Sequence, residues 1–385
     1  MMPEFGSDEF LTQVEWFRGR EVLFNSYLIS ITALMQGMDV HFYRTPNEAG
    51  TSNKLFLPKY DDPLFYRIST KDKTIFMAGS HFDRENPTAI QLQHNKSVLK
   101  AMLSKAGINT PFGGVASSTQ KDILKSLAKA GVDRVTVKPA QGKMSQGVQL
   151  YQTLEEAEAI LDANPSIVYI VEQHIDGVEF RITASKTEVI AAALVIPAHL
   201  KGDGKTTLKD LLAAEGEARS KNPANRSRPI DPQAIAKSAM VHGIDGTTVL
   251  PEGHVFRYTL DNMPYSAFRV PVLDRLPQNI KDCAIQTVRT VDAAFFTMDI
   301  FADRGGIPYV VDIDGSCATS KECFPYPDGN WNLDVPRYIL QHHFPKHIDQ
   351  ERNIKKYDFL GLRAELLRED RQTKGVNAAD FVEFA

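Results

Sequence analysis

The chain has 385 residues, 43% hydrophobic and 24% charged, so it can bury a sizeable core arranged in two or three lobes and is neither a disordered nor a fibrous sequence. Its 44 basic and 48 acidic residues are interspersed and leave a formal charge of −4, which gives no basic footprint for nucleic acid and no polybasic patch for a membrane surface. Three cysteines without metal-type spacing (Cys283, Cys317, Cys323), a longest apolar run of only residues 189–198 and no signal-peptide pattern lead to the expectation of a cytoplasmic protein acting on small molecules.

Residues 21–45 show helical periodicity in Leu28, Ile31, Leu34 and Met35, then Gly37 and an alternating run from Val40 to Tyr43, the rhythm of an open α/β layer. A second helix is predicted over 97–105, with Val98, Leu99, Met102 and Leu103 on one side and Gly107 as its stop. Ser117 and Gln120 stand at capping-box spacing before a helix ending near Gly131, and a strand follows at 134–138. Thr153 and Glu156 repeat the spacing before a helix through Leu161, and the apolar run 167–171 reads as a strand. A hairpin is predicted from 180–184 and 189–196. Residues 201–245 are rich in glycine, proline and charge around a helix at 208–218 and read as a mobile excursion. Regular structure resumes with a helix at 277–294, a strand at 296–301, a turn at 303–306 and a strand at 309–313; a last amphipathic helix is predicted at 357–371. Helices mixed with antiparallel strands indicate an α+β fold rather than repeated Rossmann units.

Three stretches carry chemistry. Asp299, Asp312 and Asp314 fall on strands that a hairpin would make adjacent, and residues two apart on a strand face the same side. Three converging carboxylates need a cation; oxygen-only ligation favours magnesium, with manganese able to substitute, and magnesium leans on substrate phosphates. In VKPAQGKMSQGV, residues 137–148, Lys138 ends a strand and a loop with Gly142, Ser145 and Gly147 follows, a pattern that brings backbone amides and a cation to phosphate. In IVEQHIDGVE, residues 170–179, an apolar strand ends in Glu172 and a polar linker leads to Glu179, a geometry that can meet an adenine edge and ribose hydroxyls. Each stretch also has a plain reading: a solvated strand end, a surface hairpin, and solvent-facing glutamates.

In this order and spacing the three stretches resemble the ATP-grasp fold. The resemblance is closer to the branch with cyanophycin synthetase and the ligase module of bifunctional glutathione synthetases, through IPAHLKGDGKTTLKDL at 196–211, NPANR at 222–226 and LPEGHVFRYT at 250–259. The resemblance covers about residues 95–345 and implies a small subdomain with the glycine loop over 111–195 and a large subdomain with the metal site over 196–347; an N-terminal α/β lobe over 1–110 and a C-terminal helical extension over 348–385 are expected on either side. It also implies that Lys96 and Lys138 contact ATP phosphates under a lid that includes Gln141, Gly142, Lys143, Ser145 and Gly147. Glu172, Gln173 and Ile175 would meet adenine, Glu179 the ribose, Asp299, Asp312 and Asp314 the magnesium, and Arg181 and Arg257 the phosphate or acyl phosphate. Two departures stand out: Asp312-x-Asp314 where the family usually has Glu-x-Asn, and LDNMPYSAFRV after Arg257 where the branch carries an asparagine-, serine- and glycine-rich stretch.

The activity implied is an amide-forming ligase that activates a carboxylate with ATP and passes it to an amine, both small molecules, with a homo-oligomer left open. A kinase-like use of the fold and a nucleotide-binding regulatory module are the alternatives. Arg226 or Arg228, in the excursion, is expected to reach a substrate carboxylate, the plain alternative being a solvated basic loop. Cys317 is read as packing rather than as a nucleophile.

Overall fold

The computed structural model describes residues 29–43, 65–78, 87–141, 147–221, 232–258, 268–315 and 334–348, apart from residues 31, 34, 35, 94; the helix predicted at 357–371 and Cys317 lie outside them. The chain divides into two units, residues 1–85 with 315–371 and residues 86–314 with 372–385.

In the first unit, strands β1 (Asp39–Tyr43), β2 (Phe65–Ser69) and β3 (Thr74–Ala78) form an antiparallel meander in that order. Val40, Ile68 and Ile75 lie opposite one another, as do Tyr66 and Met77, and all five are buried, so one face of the sheet is apolar. The helix, Gly37 and strand rhythm is present, with Gly37 in the left-handed region at φ 76°. Its strand nevertheless joins antiparallel neighbours instead of a parallel layer. The link from β2 to β3 is a tight turn in which Thr70 Oγ accepts from the amides of Asp72 and Lys73, long enough for a hairpin but not for a crossover. A helix at Asp334–His343 buries Val335, Ile339 and Leu340.

The second unit opens with α1 (Pro87–Leu92) and α2 (Lys96–Lys105), the latter capped by Asn95, whose side chain accepts from the Val98 amide. Next come β4 (Gly113–Ala116), α3 (Asp122–Lys129), β5 (Val135–Pro139), β6 (Gln149–Gln152), α4 (Leu154–Ala163) and β7 (Tyr169–Gln173). The four strands make an antiparallel sheet in the order β4-β7-β5-β6. Val135, Val137, Tyr169 and Val171 face a core completed by Leu124 and Leu127 of α3 and Ala157 and Leu161 of α4. The capping box at Thr153 and Glu156 is formed as the spacing predicts, with bonds of 3.1 and 2.8 Å. The one predicted at Ser117 and Gln120 is not: these residues exchange backbone bonds in a turn of their own, and α3 starts beyond them without a side-chain cap.

The chain continues through β8 (Gly177–Ser185), β9 (Val189–Ile196), β10 (His199–Lys201), α5 (Leu208–Lys221), α6 (Pro232–Val241), β11 (Val255–Arg257), β12 (Phe268–Pro271), α7 (Gln278–Val291), β13 (Phe295–Asp303) and β14 (Pro308–Asp314). Five of these strands form an antiparallel sheet in the order β12-β9-β8-β13-β14, and β10 pairs with β11. Most of the stretch read as a loose excursion is helical and has its own small core, in which Leu208 and Ala239 meet Leu200, Leu250, Phe256 and Tyr258. The sequence reading missed α6 because Pro232 signals a loop, although proline is well suited to the first turn of a helix.

Candidate active site

The five-stranded sheet has two chemically distinct faces. Phe180, Ile182 and Ala184 of β8 and Phe296, Met298, Ile300 and Ala302 of β13 join a core with α2 and α7, contributed by Leu99, Leu103, Ile280, Ala284 and Val288. Between them Glu179, Arg181 and Thr183, and Thr297 and Asp299, point to the opposite face by strand alternation. On β14 a strict alternation from Val310 would turn Asp312 and Asp314 into the core. A bulge prevents this: Ile300 pairs with Val310 but Asp299 pairs with Asp312, so Val311 is an extra residue. Val310 and Ile313 can then both reach the core, while both aspartates emerge beside Asp299.

Cations from other strands and from α2 already engage these acids. The Arg181 guanidinium donates to both oxygens of Asp299 at 2.9 and 3.1 Å and to Asp314 at 3.0 Å. Lys96, in the first turn of α2, pairs with Asp312. A helix N-terminus is an electrostatically poor place for a lysine, so this position reflects a demand of the site and not of the helix. Thr183 and Thr297 share a hydrogen bond of 2.9 Å on the same face.

A second group lies on the polar face of the four-stranded sheet. Glu172, 2% exposed, is held by Lys138 and Lys100 at 2.5 Å each, and Lys100 also donates to the Pro111 carbonyl. Burial by itself would raise the Glu172 carboxyl, but the charges and hydrogen bonds of Lys138 and Lys100 outweigh it and hold the group below the ordinary glutamate range. Burial likewise pushes Lys100 down, against the pull of Glu172. Lys138 also reaches the carbonyl of Val311, the bulge residue, at 3.5 Å, which links the two sheets. Gly113 pairs with Glu172 across the sheet, and a Cβ on it would lie 2.3 Å from the Val171 carbonyl oxygen and 2.5 Å from the Glu172 Cβ. Only glycine leaves room for the glutamate here.

A third group surrounds Arg257 at the end of β11. Burial pushes its guanidinium down, while Asp176 and Glu179 act in the other direction. Nearby His174, whose Nδ1 lies 3.1 Å from Thr136 Oγ1, is lowered to about 4 by burial first, with Asp176 opposing and Arg257 assisting. The His174 ring meets Tyr151 edge-on, and Arg134 stacks on Tyr151. In the linker expected to meet adenine, the Gln173 amide donates to Phe112 O and the His174 amide to Arg134 O; the Ile175 amide has no such partner among the described residues.

Of the residues singled out in the sequence, the structure therefore brings Lys96, Arg181, Asp299, Asp312 and Asp314 onto one face, Lys138 and Glu172 into one ion-pair cluster, and Glu179 beside Arg257. Glu172 and Glu179 are buried, so the solvent-facing reading of these acids does not hold. Gln141 is exposed and Gly147 takes φ 72° against Pro139, but Gly142, Lys143 and Ser145 lie outside the described residues, as do Arg226 and Arg228. Among the described residues no three acidic, histidine or cysteine side chains are gathered as a preformed metal cage. The donor chemistry still suits a hard cation: three carboxylates share a face, and the guanidinium between two of them marks a place where positive charge is required. Sequence reasoning missed Lys100. Its signal was its position four residues after Lys96, on the same side of α2.

No family model matches the chain. It is similar to the glutathione biosynthesis bifunctional protein of Listeria innocua, 24% identical over 286 residues that make up 68% of this chain and 36% of that protein. It is also similar to the cyanophycin synthetase of Trichormus variabilis, 27% identical over 139 residues covering 35% of this chain and 15% of that one. The chain thus spans about a third of the length, or less, of these curated relatives. Among solved structures, the bifunctional glutathione synthetase from Pasteurella multocida superposes with a TM-score of 0.54 at 16% identity, covering 89% of this chain and 48% of that one.

Proposed function

We propose that this chain, whose fold is the ATP-grasp fold, is an ATP-dependent ligase that activates a carboxylate as an acyl phosphate and joins it to an amine. The observation that carries the reading is the polar sheet face on which Asp299, Asp312 and Asp314 stand with Arg181 and Lys96, within one unit that also holds the Lys138 and Glu172 pair. Similarity to relatives named for glutathione and cyanophycin synthesis supports amino-acid substrates.

Asp299, Asp312 and Asp314 would hold magnesium, or manganese in its place, which when bound supplies charge compensation for phosphate oxygens. Lys96 and Lys138 provide mobile point charges for the polyphosphate, and the Ile175 amide and the Glu179 carboxylate suit an adenine edge and ribose hydroxyls. A substrate carboxylate oxygen attacks the γ-phosphorus; the bond to the bridging oxygen breaks and ADP departs. To Arg181 and Arg257 we assign the charge of the acyl phosphate. The amine then attacks the acyl carbon, phosphate leaves with the bonding pair, and the amine proton passes to solvent or base. No protein nucleophile is needed. The thiol of the described cysteine, Cys283, is pushed up to about 11 by burial and is unreactive at neutral pH.

A screen of amino-acid pairs for ADP release tests the proposal. Release that depends on both a carboxylate and an amine supports it. Durable phosphorylation of a single acceptor would make the protein a kinase, and nucleotide binding without turnover in any pair would make it a regulatory module.

A further inference from the structure

Lys100 has no role in the proposed chemistry, yet it is among the most enclosed cations of the second unit: its side chain is 13% exposed and bridges the Glu172 carboxylate and the Pro111 carbonyl. Burying a lysine is costly unless it is paired, and here its partner is also the partner of Lys138. The cluster therefore holds two cations and one anion. A single anion shared between two lysines cannot fully satisfy either, so the buried cluster carries a net positive charge.

We infer that Lys100 is a positioning residue for nucleotide binding: by neutralising Glu172 from the α2 side it leaves Lys138 free to exchange its bond to the carboxylate for a phosphate oxygen. This deepens the proposed function and rests on its nucleotide site. The geometry gives the two lysines different freedom. Lys100 Nζ donates both to Glu172 and to the Pro111 carbonyl, at 2.5 Å each, whereas Lys138, among the described residues, has the carboxylate and a carbonyl at 3.5 Å, at the outer limit of a hydrogen bond. If Lys100 were absent, Lys138 would be the sole counter-charge of a buried carboxylate among the described residues. Leaving it for a phosphate would then strand that carboxylate unpaired in the interior. Gly113 supports the same arrangement by leaving open the space in which Glu172 receives both cations.

The test measures Mg-ADP binding by calorimetry for the wild-type chain, Lys100→Met, Lys100→Arg, Glu172→Gln and the Lys100→Met/Glu172→Gln double variant, each checked for folding by its thermal transition. Lys100→Met is expected to weaken binding on the order of tenfold to thirtyfold, at or below the lower end for truncating one partner of a buried charge pair because Lys100 acts through Lys138 and does not touch the nucleotide, while Lys100→Arg retains most of the affinity. In the Glu172→Gln background the same Lys100→Met change should cost much less, because no carboxylate remains to sequester Lys138. A general packing defect would cost the same in both backgrounds. Should Lys100→Met fail to fold, the double variant, in which both charges are gone, is compared with Glu172→Gln alone, and equal affinities support the inference. Wild-type affinity in Lys100→Met, or an undiminished loss in the Glu172→Gln background, overturns it. Absence of Mg-ADP binding in the wild-type chain overturns the nucleotide site itself, and the inference with it.

Discussion

Replacing Arg181 with methionine isolates what the cation contributes to the acidic face. The substitution keeps the length of the aliphatic stem and removes three hydrogen bonds, two to Asp299 and one to Asp314. Breaking a buried ion pair from one side costs about 3–5 kcal/mol. Asp299 and Asp314 are 24% and 36% exposed, so water can take over part of the lost solvation, and a loss of about 1–3 kcal/mol is the better figure. At about 2–4 °C per kcal/mol for a domain of this size, the thermal midpoint should fall by several degrees.

The decisive comparison adds magnesium. With Arg181 gone, Asp299 and Asp314 lose its guanidinium while Asp312 keeps Lys96. A divalent cation then gains affinity, and at a tenfold excess over its Kd it returns about 1.4 kcal/mol of stability through binding to the folded state alone. The wild-type chain without nucleotide should respond less, because the guanidinium occupies the position. Thermal transitions followed by circular dichroism at several magnesium concentrations, with sodium matched for ionic strength, read the difference. An Arg181→Met protein that melts with the wild type, or one whose midpoint magnesium raises no more than that of the wild type, would refute the reasoning.

Asp312→Ala and Asp299→Asn should each lower turnover by orders of magnitude while leaving the fold intact, because these acids stand on the polar face and not in the core; full activity of Asp312→Ala at saturating magnesium counts against the site. Gly113→Ala places a methyl group 2.3 Å from a backbone oxygen and should cost about 1–3 kcal/mol in urea unfolding together with a loss of nucleotide affinity, whereas Gly131→Ala, which meets no atom within 4 Å but has φ 73°, should show only the stability effect of backbone strain. His174 has a folded pKa of about 4 against an ordinary 6.5, so between these values the unfolded chain binds more protons and stability falls as the pH drops, with a slope of up to about 1.4 kcal/mol per pH unit. His174→Gln should remove that slope, and an imidazole NMR titration near 6.5 would contradict the burial.

The parts of the fold that could be read in the sequence are those where a local rule had no competitor. Thr153 and Glu156 cap α4 because the box closes on an amphipathic helix. Ser117 satisfies the same rule only formally. Its hydroxyl does accept from the Gln120 amide, at 3.1 Å, but the backbone closes into a four-residue turn, so the bond that usually starts a helix is used without one. The acidic face was legible as composition and partly as geometry. Asp299, Asp312 and Asp314 were recognisable from their spacing around a predicted turn, but the bulge at Val311, which decides that they face away from the core, leaves no mark in the local pattern. Lys100 was missed for a different reason: its place four residues after Lys96 marks a side of α2, but its partner lies 72 residues away and a lysine on a helix is ordinarily solvated.

The same charges also constrain the kind of ligand that can enter. Arg181 and Lys96 are committed to the three aspartates, and Lys138 to Glu172. A bare anion could attract these cations only by stripping the carboxylates of their partners, and a bare divalent cation could reach the carboxylates only by displacing the arginine and lysine from them. Either exchange leaves charges of one sign facing each other in a partly enclosed space, which is costly. A ligand that brings both signs together avoids the cost: its cation satisfies the aspartates while its anionic oxygens receive Arg181, Lys96 and Lys138. A metal-complexed polyphosphate has that composition, and neither free phosphate nor a simple carboxylate does. On the proposed function these ion pairs act as placeholders, each side chain holding the charge that metal and polyphosphate would supply, and the bulge at Val311 is the backbone feature that allows them to stand on one face.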